Sequence, residues 1–220
     1  MTEGADLGSS GGVSERERYG LVLTLILTCY LLAGFETNRF VVAVSGILWV
    51  TLLLTTLWAP GIPDRLRHIG VGATVVILVT TFFLGLLPPD VAAGWTLFLL
   101  ALVQLTALLA ILSRISRHKT VTLQSVMGGV AAYALIAFVM AAIYHGIDLL
   151  TEVPLFDGII APADYTYFSF VTLTTLGYGD IAPISDLAKR LVVVEAFVGQ
   201  VFIVTLVARL VSLWGPPRRA

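Results

Sequence analysis

The stretch Thr174-Thr175-Leu176-Gly177-Tyr178-Gly179-Asp180 decides the fold, because two glycines flank a single tyrosine within a strongly apolar chain. Glycines at alternate positions allow backbone angles that other residues avoid, so successive carbonyl groups can turn to the same side. Lipid cannot satisfy the polar groups of an irregular backbone, so at membrane depth such a segment must be buried in protein or line an aqueous cavity. A column of carbonyl oxygens in that position is a ligand set for a dehydrated cation.

The composition of the chain is that of a membrane protein. Of its 220 residues, 58% are hydrophobic and only 12% are charged. Six apolar stretches reach the length of about 20 residues that a helix needs to cross a bilayer. They lie near 19–35, 40–59, 69–87, 95–113, 124–147 and 187–213. We therefore predict an all-α membrane protein with six transmembrane helices.

The connection between the fifth and sixth predicted helices, from about 148 to 186, is longer than the other four. Its first part contains the breakers Pro154, Gly158 and Pro162, which are typical of a loop or turret. The aromatic stretch 164–175 follows, and at about three helical turns it is too short to span the membrane. We predict a re-entrant pore helix here, followed by a filter loop.

The distribution of Lys and Arg predicts the orientation, because basic residues favour the cytoplasmic side. With both termini inside, only Arg39, Lys189 and Arg190 lie on the outer side. We expect a multi-pass protein of the plasma membrane whose long connection faces outward. Residues 1–18 are Gly/Ser-rich and charged, which predicts a disordered cytoplasmic tail without a signal peptide.

The glycine motif, in its place after a half-length helix and between two spans, resembles the filter of the potassium-channel family over roughly 120–214. A bare Gly-Tyr-Gly tripeptide is a weak signal, but this context makes it specific. The resemblance implies a potassium-selective channel that conducts passively and is not an enzyme. The K⁺-binding residues it implies are Thr175, Leu176, Gly177, Tyr178 and Gly179, through backbone carbonyls and the Thr175 hydroxyl.

The resemblance also implies how the filter is supported. Tyr178 is expected to point away from the pore and to pack against aromatic residues of the pore helix. The residues expected to support the filter or form its outer mouth are Tyr167, Phe168, Val171, Thr174 and Asp180. The sequence departs from the family at Leu176, where Val is usual, and at Val171, where some members carry Glu.

The chain has one filter motif and no internal repeat of it. A closed ring of carbonyls needs four such loops, which predicts a homotetramer in the lipid bilayer. No cofactor is expected, with K⁺ only as the permeant ion. The net charge of −1 gives no reason to expect a nucleic-acid partner, and a separate regulatory subunit remains open.

The sixth predicted helix carries Gly199, at a position that resembles the hinge glycine of the family's inner helix. Close helix packing is an equally good explanation of a glycine in a membrane helix. Helical spacing predicts a cavity-to-gate lining of Gln200, Ile203, Val207 and Val211. Glu195 is an acid inside the span, either functional or, slightly favoured, a structural brace to the pore helix.

Residues 19–120 are predicted to form a four-span peripheral domain and residues 121–220 the pore domain. The stretch 95–113 has no charged residue, so the periodic arginines of a voltage sensor are missing. Two other functions stay possible. One is a membrane subunit of a K⁺ uptake system, which usually carries four linked loops, and the other is a weakly selective cation channel, against which Tyr178 argues.

Overall fold

A computed structural model describes residues 22–28, 48, 50–52, 54, 64–84, 88–117, 123–157 and 161–213. Within these residues the structure is helical, and the only extended pairing is a single bridge between Phe156 and Pro183. Besides helical residues 22–28, five helices have assigned bounds: α1 (Asp64–Leu84), α2 (Pro89–Arg117), α3 (Leu123–Leu150), α4 (Pro162–Leu173) and α5 (Asp186–Leu213).

Three helices are long and apolar enough to cross a membrane, over Asp90–Ser116, Ser125–Leu150 and Asp186–Arg209. They correspond to the predicted fourth, fifth and sixth spans, with ends that differ by up to five residues. Helix α1 covers most of the predicted third span, 69–87. Over its described residues, it is not among the three helices that meet the length and hydropathy expected of a membrane span. The predicted first and second spans, like the tail 1–18, lie largely outside the described residues, so six spans remain a prediction.

Helices α2 and α3 form the centre of the described structure. Their buried faces enclose a hydrophobic cluster that also takes in Val22 and Ile26 from the N-terminal helical segment. Gly94 and Gly146 allow the close approach of the two helices near one end. A β-carbon on Gly146 would lie 3.2 Å from the carbonyl oxygen of Gly94, and one on Gly94 would lie 2.6 Å from Leu150 Cγ. Small residues at such crossings are typical of membrane helices.

The short helix α4 has the predicted length of 12 residues but is shifted by two residues: it runs from Pro162 to Leu173, whereas the predicted stretch was 164–175. Pro162, predicted as a loop breaker, is instead the first helical residue, where its missing N–H and fixed φ favour helix initiation. The backbone N–H of Ala161 donates to Asp164 Oδ2 at 2.9 Å and fixes the start. The helix cannot continue past Thr174 because Thr175 has φ of 60°.

The loop before α4 is fastened to the segment that follows the filter. Asp157 N donates to the carbonyl of Ala182 at 2.9 Å, and Ile184 N donates to that of Leu155 at 2.9 Å. Leu155 and Phe156 are buried in a second hydrophobic cluster with Tyr144, Tyr165 and Phe168. Within the described part of the predicted turret, Leu155 and Phe156 are therefore anchored in the core, and backbone hydrogen bonds join this loop to the segment after the filter.

Candidate functional site

The predicted filter segment, residues 175–179, has an alternating backbone. Thr175, Gly177 and Gly179 have φ of 60°, 55° and 78°, and all three lie in the left-handed region, whereas Leu176 and Tyr178 do not. A β-carbon added to Gly177 or Gly179 would meet no atom within 4 Å. The glycines are therefore required by backbone conformation and not by lack of space. Thr175 adopts the same region although it is a β-branched residue, which is uncommon and is found at functional sites.

The amide groups of this segment are held by the end of α4. Thr175 N donates to the carbonyl of Thr172 at 2.9 Å, and the N–H groups of Leu176 and Gly177 donate to that of Val171 at 2.9 and 3.3 Å. No donor in the described part of the chain reaches the carbonyls of Thr175, Leu176, Gly177 or Tyr178. Four consecutive carbonyl groups are thus left available to an external ligand.

Tyr178 packs beside Tyr167 of α4. Their rings lie 6.4 Å apart between centroids and are nearly parallel, with 4° between the planes. Phe168, the other aromatic predicted near Tyr178, instead packs edge-on to Tyr144 and Phe156, at 5.7 and 4.6 Å between centroids. The two neighbouring residues of α4 therefore have different tasks: Tyr167 contacts the filter, and Phe168 fills the core behind it.

Asp180 is tied to the same tyrosine. Tyr167 donates its hydroxyl to Asp180 Oδ2 at 2.6 Å, and the N–H of Ile181 donates to Asp180 Oδ1 at 3.1 Å. The hydrogen bond from Tyr167 lowers the pKa of the Asp180 carboxyl below its ordinary value. The same bond, with the adjacent negative charge, raises the pKa of Tyr167 to about 12. Asp180 thus remains an acceptor and Tyr167 a donor over the physiological pH range.

Behind α4 lies a buried polar group that joins three helices. Glu195 of α5 is 1% exposed, and its Oε2 accepts a hydrogen bond of 2.7 Å from the hydroxyl of Tyr144 on α3. Its Oε1 is hydrogen-bonded to Ser169 Oγ on α4, and that hydroxyl also lies 2.8 Å from the carbonyl oxygen of Ala137 on α3. The sequence slightly favoured a structural brace between Glu195 and the predicted pore helix, and the structure contains this contact between Glu195 and α4.

The C-terminal end of α4 is enclosed by two residues. Tyr133 of α3 donates its hydroxyl to the carbonyl of Leu173 at 2.7 Å. Gly199 of α5 lies against the same residue, since a β-carbon there would come within 2.6 Å of Leu173 Cδ1 and 2.9 Å of the Leu173 carbonyl oxygen. Close packing is therefore one role of Gly199, and its role as a hinge remains a prediction.

A further hydrogen-bonded cluster lies near the C-terminal end of α3. Asp148 accepts hydrogen bonds from the hydroxyl of Tyr165 and from Leu155 N, the second at 2.7 Å, and the ring of His145 stacks on that of Tyr165 at 4.6 Å. Burial and the bond to Asp148 raise the pKa of Tyr165. Both oxygens of the Asp148 carboxylate are therefore occupied by structural bonds.

Helix α5 has a buried edge and a wide exposed face. Ala188, Glu195 and Gly199 are buried against α3 and α4. The predicted pore-lining residues, which are exposed together on one side, are Gln200, Ile203, Val207 and Val211. A neighbouring stripe of exposed apolar residues contains Val194, Phe197, Val198 and Val201. The structure thus brings the predicted lining onto one face and leaves it accessible.

Three residues of the site were not predicted from the sequence: Tyr133, Tyr144 and Ser169. Each lies on an apolar helix and bonds to a residue distant in the sequence, Tyr133 across 40 positions and Tyr144 across 51. Their only sequence signal is a hydroxyl within an apolar segment, because a buried hydroxyl requires a partner.

The family model described as an ion channel matches residues 130–214, from α3 through α4 and the filter to the end of α5. This region is similar to ion channels. The match supports ion transport as the function and, with the three apolar helices, a location in a membrane. It covers every residue of the filter and both residues that enclose the end of α4. No curated protein matches the chain.

Proposed function

We propose that four copies of this chain form a potassium-selective channel. K⁺ passes down its electrochemical gradient between carbonyl oxygens of Thr175, Leu176, Gly177 and Tyr178, with the Thr175 hydroxyl at the inner end. The observation that carries this proposal is the set of four consecutive carbonyls without a donor in the described residues, on a backbone whose φ alternates in sign. No covalent chemistry is involved.

The chemistry of the ligands favours a monovalent cation. Hard cations prefer oxygen ligands, and a ring of uncharged carbonyls replaces a hydration shell without the charge that would trap the ion. The N–H groups of Thr175, Leu176 and Gly177 are already bonded to carbonyls of α4, so they do not occupy the filter carbonyls that would bind the ion. Tyr167 further fixes the filter, since it stacks on Tyr178 and bonds to Asp180.

The exposure of α5 supports the assembly of four chains. Only 11% of its membrane-crossing window is buried within one chain, compared with 61% for α3. A single filter loop supplies one quarter of a closed ring, so the other three quarters must come from further copies. The stripe with Phe197 and Val201 is then available to a neighbouring subunit, and the stripe with Ile203 and Val207 lines the cavity.

The first test is K⁺ and Na⁺ flux into liposomes that contain the purified protein. We expect a flux selective for K⁺, which Tyr178→Ala abolishes or makes unselective because the ring that stacks on Tyr167 is lost. Tyr178→Phe is the matched control, since it keeps that ring and removes a hydroxyl without a partner among the described residues. It should conduct like the natural protein.

Two other results would assign a different function. Equal permeation of K⁺ and Na⁺ by the natural protein would make it a weakly selective cation channel. An absence of passive flux at any voltage or pH would favour a membrane subunit of a K⁺ uptake system that depends on another energy source, or else a closed channel that opens only with a separate regulatory subunit.

A further inference from the structure

We propose that Glu195 works as a neutral, proton-bearing residue that positions the potassium filter through Ser169. The effect of Glu195 on the filter rests on the proposed channel function. The protonation of its carboxyl group, in contrast, can be observed without ion flux. The buried group formed by Tyr144, Ser169 and Glu195 has more oxygen contacts than an ionised Glu195 would leave hydrogen atoms to fill.

Three oxygen–oxygen contacts within hydrogen-bond distance hold this group, and each is strongest with a hydrogen atom of its own. Tyr144 OH meets Glu195 Oε2 at 2.7 Å, Glu195 Oε1 meets Ser169 Oγ, and Ser169 Oγ meets the Ala137 carbonyl oxygen at 2.8 Å. An ionised Glu195 would provide only the two hydroxyl hydrogens of Tyr144 and Ser169. The single Ser169 hydrogen would then be shared between the Ala137 carbonyl and a charged Oε1, which weakens both contacts.

A protonated Glu195 satisfies all three contacts. Tyr144 donates to Oε2, the carboxylic acid donates from Oε1 to Ser169 Oγ, and Ser169 donates to the carbonyl of Ala137. The surroundings agree with this arrangement, because no Lys, Arg or His in the described chain forms an ion pair with Glu195. Glu195 is 1% exposed and lies within an apolar span, so its surroundings offer little stabilisation to an isolated negative charge.

The connection from Glu195 to the filter is short. Ser169 lies two residues before Val171, whose carbonyl accepts the N–H groups of Leu176 and Gly177. Gly199 and Tyr133 also contact the same helix end, through Leu173. A shift of α4 away from Glu195 would move the acceptor that holds the filter amides. Glu195 is therefore a positioning residue, which touches no permeant ion.

The first experiment is infrared spectroscopy of the full-length protein in lipid at neutral pH. We expect a carboxylic acid C=O stretch that is missing in Glu195→Gln. Its frequency should rise in Tyr144→Phe, because the hydroxyl that donates to Oε2 is removed. Carboxylate bands in place of the acid band would overturn the proposal, whether or not the protein conducts ions.

The second experiment compares the K⁺ over Na⁺ preference of variants in liposomes. Gln reproduces the acid, with an oxygen for Tyr144 and an N–H for Ser169, so Glu195→Gln should stay close to the natural protein. Ser169→Ala and Glu195→Ala should lose roughly tenfold in preference, since each leaves buried polar atoms without partners. Thr106→Val is the control, because it removes a buried hydroxyl of α2 that bonds within its own helix.

The outcomes separate the two proposals. If the natural protein and Thr106→Val carry no K⁺-selective flux, the channel function fails, while the infrared band still decides the state of Glu195. If both conduct and Glu195→Gln is as damaging as Glu195→Ala, the positioning role of a neutral carboxyl is wrong.

Discussion

Arg209, near the C-terminal end of α5, donates a hydrogen bond of 2.6 Å from Nη2 to the carbonyl oxygen of Ile115 in the last turn of α2. The last carbonyls of a helix have no partner within it, and they carry the negative end of the helix dipole. The guanidinium of Arg209 gives one of these carbonyls a donor, and its positive charge interacts favourably with the negative end of the dipole. This bond joins the end of the proposed inner helix directly to the helices outside the pore.

We expect Arg209→Ala to change gating and not selectivity. If the inner helix moves at this end when the channel opens, loss of the bond removes a contact specific to the present arrangement. A charge-assisted bond of this kind contributes about 1.5–3 kcal/mol, enough to shift an open–closed equilibrium by roughly tenfold or more. Single-channel recording in bilayers gives the open probability, with Arg190→Ala on exposed α5 as the control. An unchanged open probability would contradict the expectation.

Substitutions of Tyr167 should separate its two contacts with the filter. Tyr167→Phe keeps the stack on Tyr178 but loses the donor to Asp180, whereas Tyr167→Leu loses both. We expect the permeability ratio of K⁺ to Na⁺ to fall moderately in the first variant and severely in the second. Equal ratios in the two variants would show that the ring contact contributes nothing to selectivity.

Gly199→Ala should disturb the packing of α5 against α4, in addition to any effect on bending of α5. The added carbon would come within 2.6 Å of Leu173 Cδ1, so either α5 or α4 must move. We expect a lower thermal unfolding temperature and reduced K⁺ flux. Gly72→Ala in α1 is the control, because its β-carbon would meet nothing within 4 Å and alanine favours the helix.

A double variant separates packing from bending at Gly199. Leu173→Ala removes the closest side-chain atoms, so combining it with Gly199→Ala should recover part of the lost thermal stability. Recovery will be incomplete because the Leu173 carbonyl oxygen remains 2.9 Å from the added carbon. A hinge without a packing role would show no such coupling between the two substitutions.

Tyr165→Phe should lower the free energy of unfolding by about 1 kcal/mol, because it leaves Asp148 with one donor fewer. The pKa of Tyr165 is raised in the folded chain, so the stabilisation is complete below the ordinary tyrosine pKa and is lost only as the pH rises through the folded value. Thermal unfolding of both proteins should therefore differ by a constant amount from neutral pH up to about pH 9. A difference that vanishes within this range would contradict the assignment.

The sequence predicted the features that depend on local chemistry. The glycine motif predicted a loop with unusual backbone angles, and the structure confirms positive φ at Gly177 and Gly179. The length of the aromatic segment predicted a half-length helix, which is Pro162–Leu173. The motif did not predict positive φ at Thr175, because a β-branched residue gives no signal for that conformation.

The contacts behind the filter could not be predicted in the same way. Ser169 and Glu195 are 26 positions apart, and neither the motif nor helical periodicity states which faces of α4 and α5 will meet. Pro162 was assigned to the loop because proline both breaks and begins helices, and only the bond between Ala161 and Asp164 decides between these roles. Tertiary contacts, and not local propensity, determine these positions.

The pairing of Phe156 with Pro183 limits how the number of residues between α4 and α5 could change. It fastens the chain just before α4 to the chain just after the filter, so both attachment points of the filter belong to one frame. We expect that an inserted or deleted residue between Thr174 and Asp180 would have to be absorbed between the end of α4 and this bridge. It would also reverse the alternation of φ beyond that point and turn the later carbonyls outward. The number of residues in this segment is thus fixed as firmly as their identity.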